Sequence, residues 1–229
     1  MTGTAGTGRA IRVAAGLATL AVTGSTVHRE VVGPVEGAVF RSVNRLPDRL
    51  YRSAWVVMQA GNVLAAPAAG AVALAAGRPR LAARLAVTGA LTWTSAKLLK
   101  RAYRRPRPAQ LVTGVRCRGH EPSGLGYVSG HAGIAAGLAV AVLPALRGPA
   151  RVLVAGVVAV VGPCRVYVGA HLPLDIVGGA ALGVISDALV AAALDRVAAV
   201  PVSPASAASP WGRRAARDSA GRSRSTAAG

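Results

Sequence analysis

Residues 152–194 read VLVAGVVAVVGPCRVYVGAHLPLDIVGGAALGVISDALVAAAL. Two apolar runs lie in this stretch, about Val152–Gly169 and Leu174–Leu194. Each is near the length of roughly 20 residues that crosses a bilayer as a helix. Between them sits a short polar string, RVYVGAHLPLD, from Arg165 to Asp175. Ionisable residues at the rim of apolar segments are costly and usually functional. The stretch therefore predicts two membrane helices with chemistry held at the surface where they meet.

Working outward, three more runs have similar length: about Ala54–Gly77, Leu81–Leu99 and His131–Leu146. A weaker stretch, Ile11–Val27, follows Arg9 and Arg12. It lacks a small-x-small cleavage site before His28-Arg29-Glu30, which favours a retained helix over a secretory signal. Residues 29–52 place Val31, Val32, Val35, Val39, Phe40, Val43 and Leu46 at spacings suited to an amphipathic helix at the interface. The expected fold is all-α: a polytopic bundle of about six membrane helices plus that interfacial helix. Its parts are an N-terminal segment with the first helix (1–28), a membrane domain (29–198) and a disordered tail rich in Arg, Ser, Ala and Pro (199–229).

Composition agrees with this class. The 229 residues are 52% hydrophobic yet only 3% aromatic, with a mean hydropathy of +0.45. Small aliphatic residues suit helices packed closely in lipid. The net charge of +19 would suggest nucleic acid, but the cations fall in short runs between apolar segments rather than on one face. They read as anchors on an anionic membrane surface, and no nucleic-acid partner is expected. Cys117 and Cys164 are expected to remain two thiols rather than a bridge.

Arg9, Arg12, Arg78, Arg80, Arg84, Arg147, Arg151 and the tail fall on one side of a six-helix topology. That side should be cytoplasmic, with both termini there, in a multi-pass protein of the plasma membrane. The loop 100–128 breaks the rule by placing Lys100, Arg101, Arg104, Arg105 and Arg107 outside. An anionic substrate would account for such a patch, and all three polar strings of the chain land on this outer side.

The first string, KRAYRRPRP, spans Lys100–Pro108. Its prolines stiffen the arm that carries Arg107, and guanidinium forks match phosphate oxygens while lysine adds a point charge. Clamping of lipid head groups is the alternative, and Arg101, Arg104 and Arg105 are assigned to it. The second string, Ser129-Gly130-His131, opens an apolar run. A helix N-terminus and a close-approaching glycine can hold an anion. Ser129 would add a donor or cap the helix, and His131 could protonate a leaving alkoxide. In the third string, His171 could attack phosphorus if Asp175, four residues on, holds its other ring nitrogen. Arg165 would neutralise developing charge. Glu30, Glu36 and Asp48 lack metal-ligand spacing, so no metal site is expected. His28 and His120 read as ordinary loop residues.

In this order the strings resemble the signature of the type 2 phosphatidic acid phosphatase superfamily: K-x6-R-P, then P-S-G-H, then S-R-x5-H-x3-D. The resemblance covers roughly residues 30–195. It implies a six-helix membrane bundle with a site on the outer face that uses no metal or other cofactor. It also implies His171 as a nucleophile forming a phosphohistidine, Asp175 as its partner and His131 as the acid. Lys100, Arg107, Ser129, Gly130 and Arg165 would hold the phosphoryl oxygens. Val128 replaces the proline of the second string, and Cys164 the serine of the third. Valine should be tolerated at the turn, whereas a thiol is the weaker hydrogen-bonding group beside a phosphate. The implied substrate is a lipid phosphate monoester or diphosphate, of the phosphatidate or polyprenyl type. A phosphotransferase would use the same residues, and a silent lipid binder would need no His-Asp pair. The apolar segments argue against a soluble acid phosphatase or haloperoxidase.

Overall fold

The computed structural model describes residues 2–27, 31–120 and 122–199. Among these there is no strand. In chain order the helices are α1 (Thr2–Val27), α2 (Pro34–Asn44), α3 (Tyr51–Met58), α4 (Ala65–Ala75) and α5 (Pro79–Tyr103), followed by α6 (Pro108–Leu111), α7 (Gly130–Val142), α8 (Gly148–Tyr167) and α9 (Pro173–Ala199). The expected tail from 200 onward and His28 lie outside the described residues. Residues up to Leu194 form one compact unit, in which α1 is included.

By length and composition three helices could cross a membrane: Gly6–Val27, Gly148–Tyr167 and Pro173–Ala199. The run expected as one span at Ala54–Gly77 is instead broken. It folds as α3, a 3-10 turn (Gln59–Gly61) and α4, bent by 67° at the break. Counted as one span, the pair brings the total to four. The cause is local. The Asn62 side-chain oxygen accepts the Leu64 N–H at 3.0 Å, a turn that competes with helix continuation. Helix α5 is long enough at 25 residues, roughly 37 Å, but it carries Arg84, Lys97 and Lys100. The apolar helical run Gly130–Ala145 is short for a crossing. The count of six therefore stands only as a reading of the sequence.

Helix α7 is buried on nearly every side, as expected of a helix apolar all round. Its glycines make this arrangement fit. A Cβ on Gly133 would lie 2.8 Å from the Thr92 methyl of α5 and 2.9 Å from the Gly179 carbonyl of α9. One turn on, a Cβ on Gly137 would meet Thr88 at 2.9 Å and the Gly183 carbonyl at 3.0 Å. Gly183 in turn abuts the Gly133 carbonyl. Small residues four apart on both helices let the backbones touch. On α1, Gly16 faces Ile185, and the Thr23 and Tyr127 hydroxyls hydrogen-bond at 2.8 Å.

A buried ion pair joins α5 to α9 away from the polar strings. Arg84 donates from Nε and Nη2 to the two Asp187 oxygens, both at 2.7 Å, and Asp187 is fully buried. Arg12 of α1 stands 3.8 Å away. Two of the arginines read as cytoplasmic anchors thus serve the interior.

The expected interfacial helix exists as α2, but its buried face is not the valine stripe. Glu36, Gly37, Phe40 and Asn44 are buried, whereas Val35 and Val39 are exposed. Asn44 Nδ2 donates to the Arg116 and Tyr167 carbonyls, each at 3.0 Å, and its Oδ1 accepts the Arg116 N–H at 2.9 Å. Arg118 then donates to the Asn44, Leu46 and Tyr167 carbonyls and to Asp48. Its guanidinium also stacks over the Tyr167 ring at 4.1 Å. The loop after α6 is fastened to α2 and α8 by these bonds.

Candidate active site

Helix α5 ends at Arg104, whose left-handed φ of 49° turns the chain. Pro106 and Pro108 then hold Arg105 and Arg107 on an extended arm. Lys100 anchors that arm to the loop beyond it, donating to the Leu125 and Gly126 carbonyls at 2.7 and 2.9 Å. Ser129 caps α7, its hydroxyl accepting the Ala132 N–H at 3.4 Å. Its own N–H donates to the Asp175 carbonyl at 2.8 Å. Pro173 starts α9, placing Asp175 in the first turn, where the helix dipole favours a carboxylate.

These ends enclose a cavity of about 380 Å³ lined by Lys100, Arg107, Gly130, His131, Arg165 and His171. Val63, Trp93, Ala96 and Ile134 supply an apolar side. A second cavity of about 590 Å³ shares Asn62, Arg107, His131 and Arg165, and it is edged by Tyr51, Gln59, His120 and Ser123. Six of the eight residues singled out from the sequence line the first cavity. Asp175 sits behind it, and Ser129 is buried as a cap. His120, read as an ordinary loop residue, borders the second cavity.

The His171 ring lies between Arg107 and Asp175. Arg107 Nη1 is 3.0 Å from Nε2 and 3.5 Å from Nδ1, beside the ring, and donates to the Ala170 carbonyl at 2.7 Å. A carboxylate accepts, so the Asp175 contact assigns the proton to Nδ1 and the lone pair to Nε2. That proton points to Asp175 Oδ2 at 3.3 Å. The same oxygen accepts the Leu172 N–H at 2.9 Å.

Burial, together with the charges of Arg107, Lys100, Arg165 and His131, holds the His171 imidazole well below its ordinary range. It stays neutral as the pH falls through about 6.5, where a free histidine would charge. The acid limb of kcat/KM due to His171, which reports the free enzyme, should therefore lie below pH 6.5. A His171-dependent limb at or above that value would contradict this geometry.

Several donors at the cavity lack partners. The Arg107 and Arg165 Nε atoms are buried with no hydrogen-bond acceptor, and Arg165 Nη1 reaches only the Met58 sulfur at 3.6 Å. Unmatched buried donors are rare, and these belong to two arginines that line the cavity. Among the described residues, no three His, Cys, Asp or Glu side chains come together as a metal site.

A family model described as the PAP2 superfamily matches residues 80–197, more than half of the chain. The chain belongs to the PAP2 superfamily. By that membership it is a phosphoric ester hydrolase of the membrane. No curated protein matches it. Among solved structures, LpxE of Aquifex aeolicus is similar at 20% identity and a TM-score of 0.62, over 68% of this chain and 93% of that one. The transmembrane PAP2 type phosphatidylglycerolphosphate phosphatase of Bacillus subtilis also gives 20% identity and a TM-score of 0.62, over 83% and 99%. At this identity the likeness concerns the fold.

Two features of this PAP2 site differ from the sequence reading. Cys164 is a free thiol packed with Ala54, Met58 and Tyr167 in a hydrophobic cluster, so replacing serine there alters a core contact. Arg105, assigned to lipid head groups, is instead 1% exposed. It donates to Asp175 Oδ1 at 2.8 Å and to both Glu36 oxygens at 3.1 and 2.7 Å. Burial disfavours its charge, but the Glu36 hydrogen bond and the two carboxylates outweigh this and hold it above the ordinary arginine range. The signal was present in the sequence. Residues two apart on an extended stretch share a face, so Arg105 follows Arg107 towards the His-Asp pair.

Proposed function

We propose that this chain hydrolyses a lipid-linked phosphate monoester or diphosphate through a phosphohistidine. The observation that carries the reading is the His171 ring. Its proton faces Asp175 and its lone pair faces a cation-lined cavity with one apolar wall. In the first step Nε2 bonds to phosphorus while the bond to the leaving oxygen breaks, and His131 donates a proton to that oxygen. Asp175 stabilises the resulting imidazolium. In the second step water attacks phosphorus, His131 takes its proton, and phosphate leaves with Nε2 restored. Lys100, Arg107, Arg165 and the α7 N-terminus at Ser129-Gly130 neutralise the phosphoryl oxygens. Arg107 Nη1 already stands beside Nε2, where it can take a phosphoryl oxygen as phosphorus approaches.

A lipid fits the wall formed by Val63, Trp93 and Ile134, while the more polar second cavity would take the headgroup and water. That the related Bacillus subtilis protein is a phosphatidylglycerolphosphate phosphatase agrees with a phospholipid substrate. The outer-face assignment draws support from chain direction. Helices α5 and α8 both start beside arginines, Arg78 and Arg80 or Arg147 and Arg151, and both end at the site. At 25 and 20 residues they separate the two ends by roughly 30–37 Å. Cytoplasmic arginines then leave the site outside, in a plasma membrane. The membrane domain of 29–198, with α1 before it and a tail from 199, remains the proposed organisation.

The test is phosphate release by detergent-solubilised full-length protein from phosphatidate and from a polyprenyl diphosphate, with and without EDTA. Release that persists in EDTA is expected from at least one lipid. Loss of release with chelation would overturn the mechanism. Phosphate appearing on added glycerol instead of in solution would identify a transferase using the same residues.

A further inference from the structure

The family signature accounts for Asp175 but not for what stands behind it. Asp175 Oδ1 accepts from Arg105, and Arg105 is gripped in turn by both oxygens of Glu36. Glu36 Oε1 also accepts the Leu174 N–H at 3.0 Å, which ties α2 to the start of α9. All three charged groups are at least nine-tenths buried. Glu36, Arg105, Asp175 and His171 thus form one continuous chain of hydrogen bonds, from a helix outside the matched residues 80–197 to the proposed nucleophile.

We propose that Glu36 and Arg105 are positioning residues that set the orientation and the effective charge of Asp175 towards His171. The proposal rests on the phosphohistidine reading above. The physical need for two residues is one of balance. Arg105 alone would lock the carboxylate in place, but its charge would cancel much of the field that Asp175 exerts on the imidazolium. Glu36 offsets that charge, so the carboxylate is both fixed and left negative. A plain structural ion pair would need neither the Leu174 contact nor the shared Asp175 oxygen. Every other charged group facing His171 is cationic or neutral: Arg107 on the arm, Lys100 of α5, Arg165 of α8 and His131 of α7. The nucleophile therefore depends on this one source of negative potential.

The experiment compares the full-length wild type with Glu36→Gln and with the double variant Glu36→Gln/Arg105→Gln, on the better lipid substrate from the test above. The glutamine oxygen can still accept the Leu174 N–H, so the helix contact persists. In Glu36→Gln, kcat should fall about tenfold with KM within twofold. The acid limb of kcat/KM should move to lower pH, because a negative charge near His171 has gone. The double variant removes opposite charges together, so its acid limb should return towards the wild-type position. If Glu36→Gln leaves kcat and the limb unchanged, the proposal fails. It also fails if both variants lose activity with no movement of the limb, since that is the mark of a structural pair. Should Glu36→Gln not fold, the double variant, which leaves Asp175 without its arginine but with the Leu172 N–H and His171 contacts, is decisive alone. A folded protein with kcat at least tenfold lower and KM within twofold supports the proposal, and unchanged kcat overturns it. Absence of lipid phosphatase activity in the wild type would instead count against the function on which the proposal rests.

Discussion

Alanine at His171 should abolish phosphate release, with kcat/KM lower by about 10⁴-fold or more, the scale on which loss of a covalent nucleophile acts. The side chain is almost fully buried but belongs to neither hydrophobic cluster that holds Tyr127 or Phe40, so folding should survive. Detergent gel filtration of the variant beside the wild type checks that point. The variant should also fail to retain labelled phosphate after an acid-free quench, where the wild type retains it. His131→Ala separates the two histidines. If His131 protonates the leaving group, its loss should cost far more with an alkyl phosphate than with p-nitrophenyl phosphate, whose leaving oxygen needs no proton. Equal losses on both substrates would remove His131 from the acid role. A His171→Ala protein that still hydrolysed lipid phosphate at more than a hundredth of the wild-type rate would end the phosphohistidine reading.

The largest effect on stability is expected at the other end of the bundle. Asp187→Ala strands the Arg84 guanidinium, three-quarters buried, between α5 and α9. Removing one partner of a buried pair costs about 3–5 kcal/mol, and the low end suits Arg84 because part of it still reaches the surface. Arg12, at 3.8 Å, would add a second unopposed cation. The midpoint of thermal unfolding in detergent should fall clearly. Adding Arg84→Met should recover much of the loss, because an apolar stem of similar length leaves no charge behind. A double variant less stable than Asp187→Ala would show that the guanidinium matters for packing beyond its pairing. Neither change touches the cavity, so kcat of the folded fraction should stay near that of the wild type.

The parts of the site that were legible in the sequence are those fixed by short spacing. His171 and Asp175 are one helical turn apart, and Pro173 between them announces the helix start that makes the spacing productive. Lys100 and Arg107 flank a proline-stiffened arm, and Ser129 is a cap by residue type. Glu36 was not legible, because its partner lies 69 residues away and the valines around it set the apolar period. The one sign available was its spacing, four residues before Phe40 and so on the same face of the helix. The break between α3 and α4 was missed for a related reason. Hydropathy averages across Asn62, whereas one side-chain hydrogen bond to Leu64 decides the backbone there. What Cys164 does was not readable either, since a residue beside an arginine in sequence can face the opposite way in a helix.

The many bonds that fasten the loop between α5 and α7 carry a consequence for timing. Lys100, Asn44, Arg107 and Arg118 bind it at the Leu125 and Gly126 carbonyls, at Arg116, at the Ser123 carbonyl and against α8. Many hydrolases close a flexible loop over each substrate, and that closure or its reversal limits turnover. Here the vessel is already shaped before anything enters it. For the proposed lipid substrate, what remains variable is its arrival by diffusion in the plane of the bilayer and the departure of the product by the same route. The clock of such a protein belongs as much to the fluidity of its membrane as to its own chain.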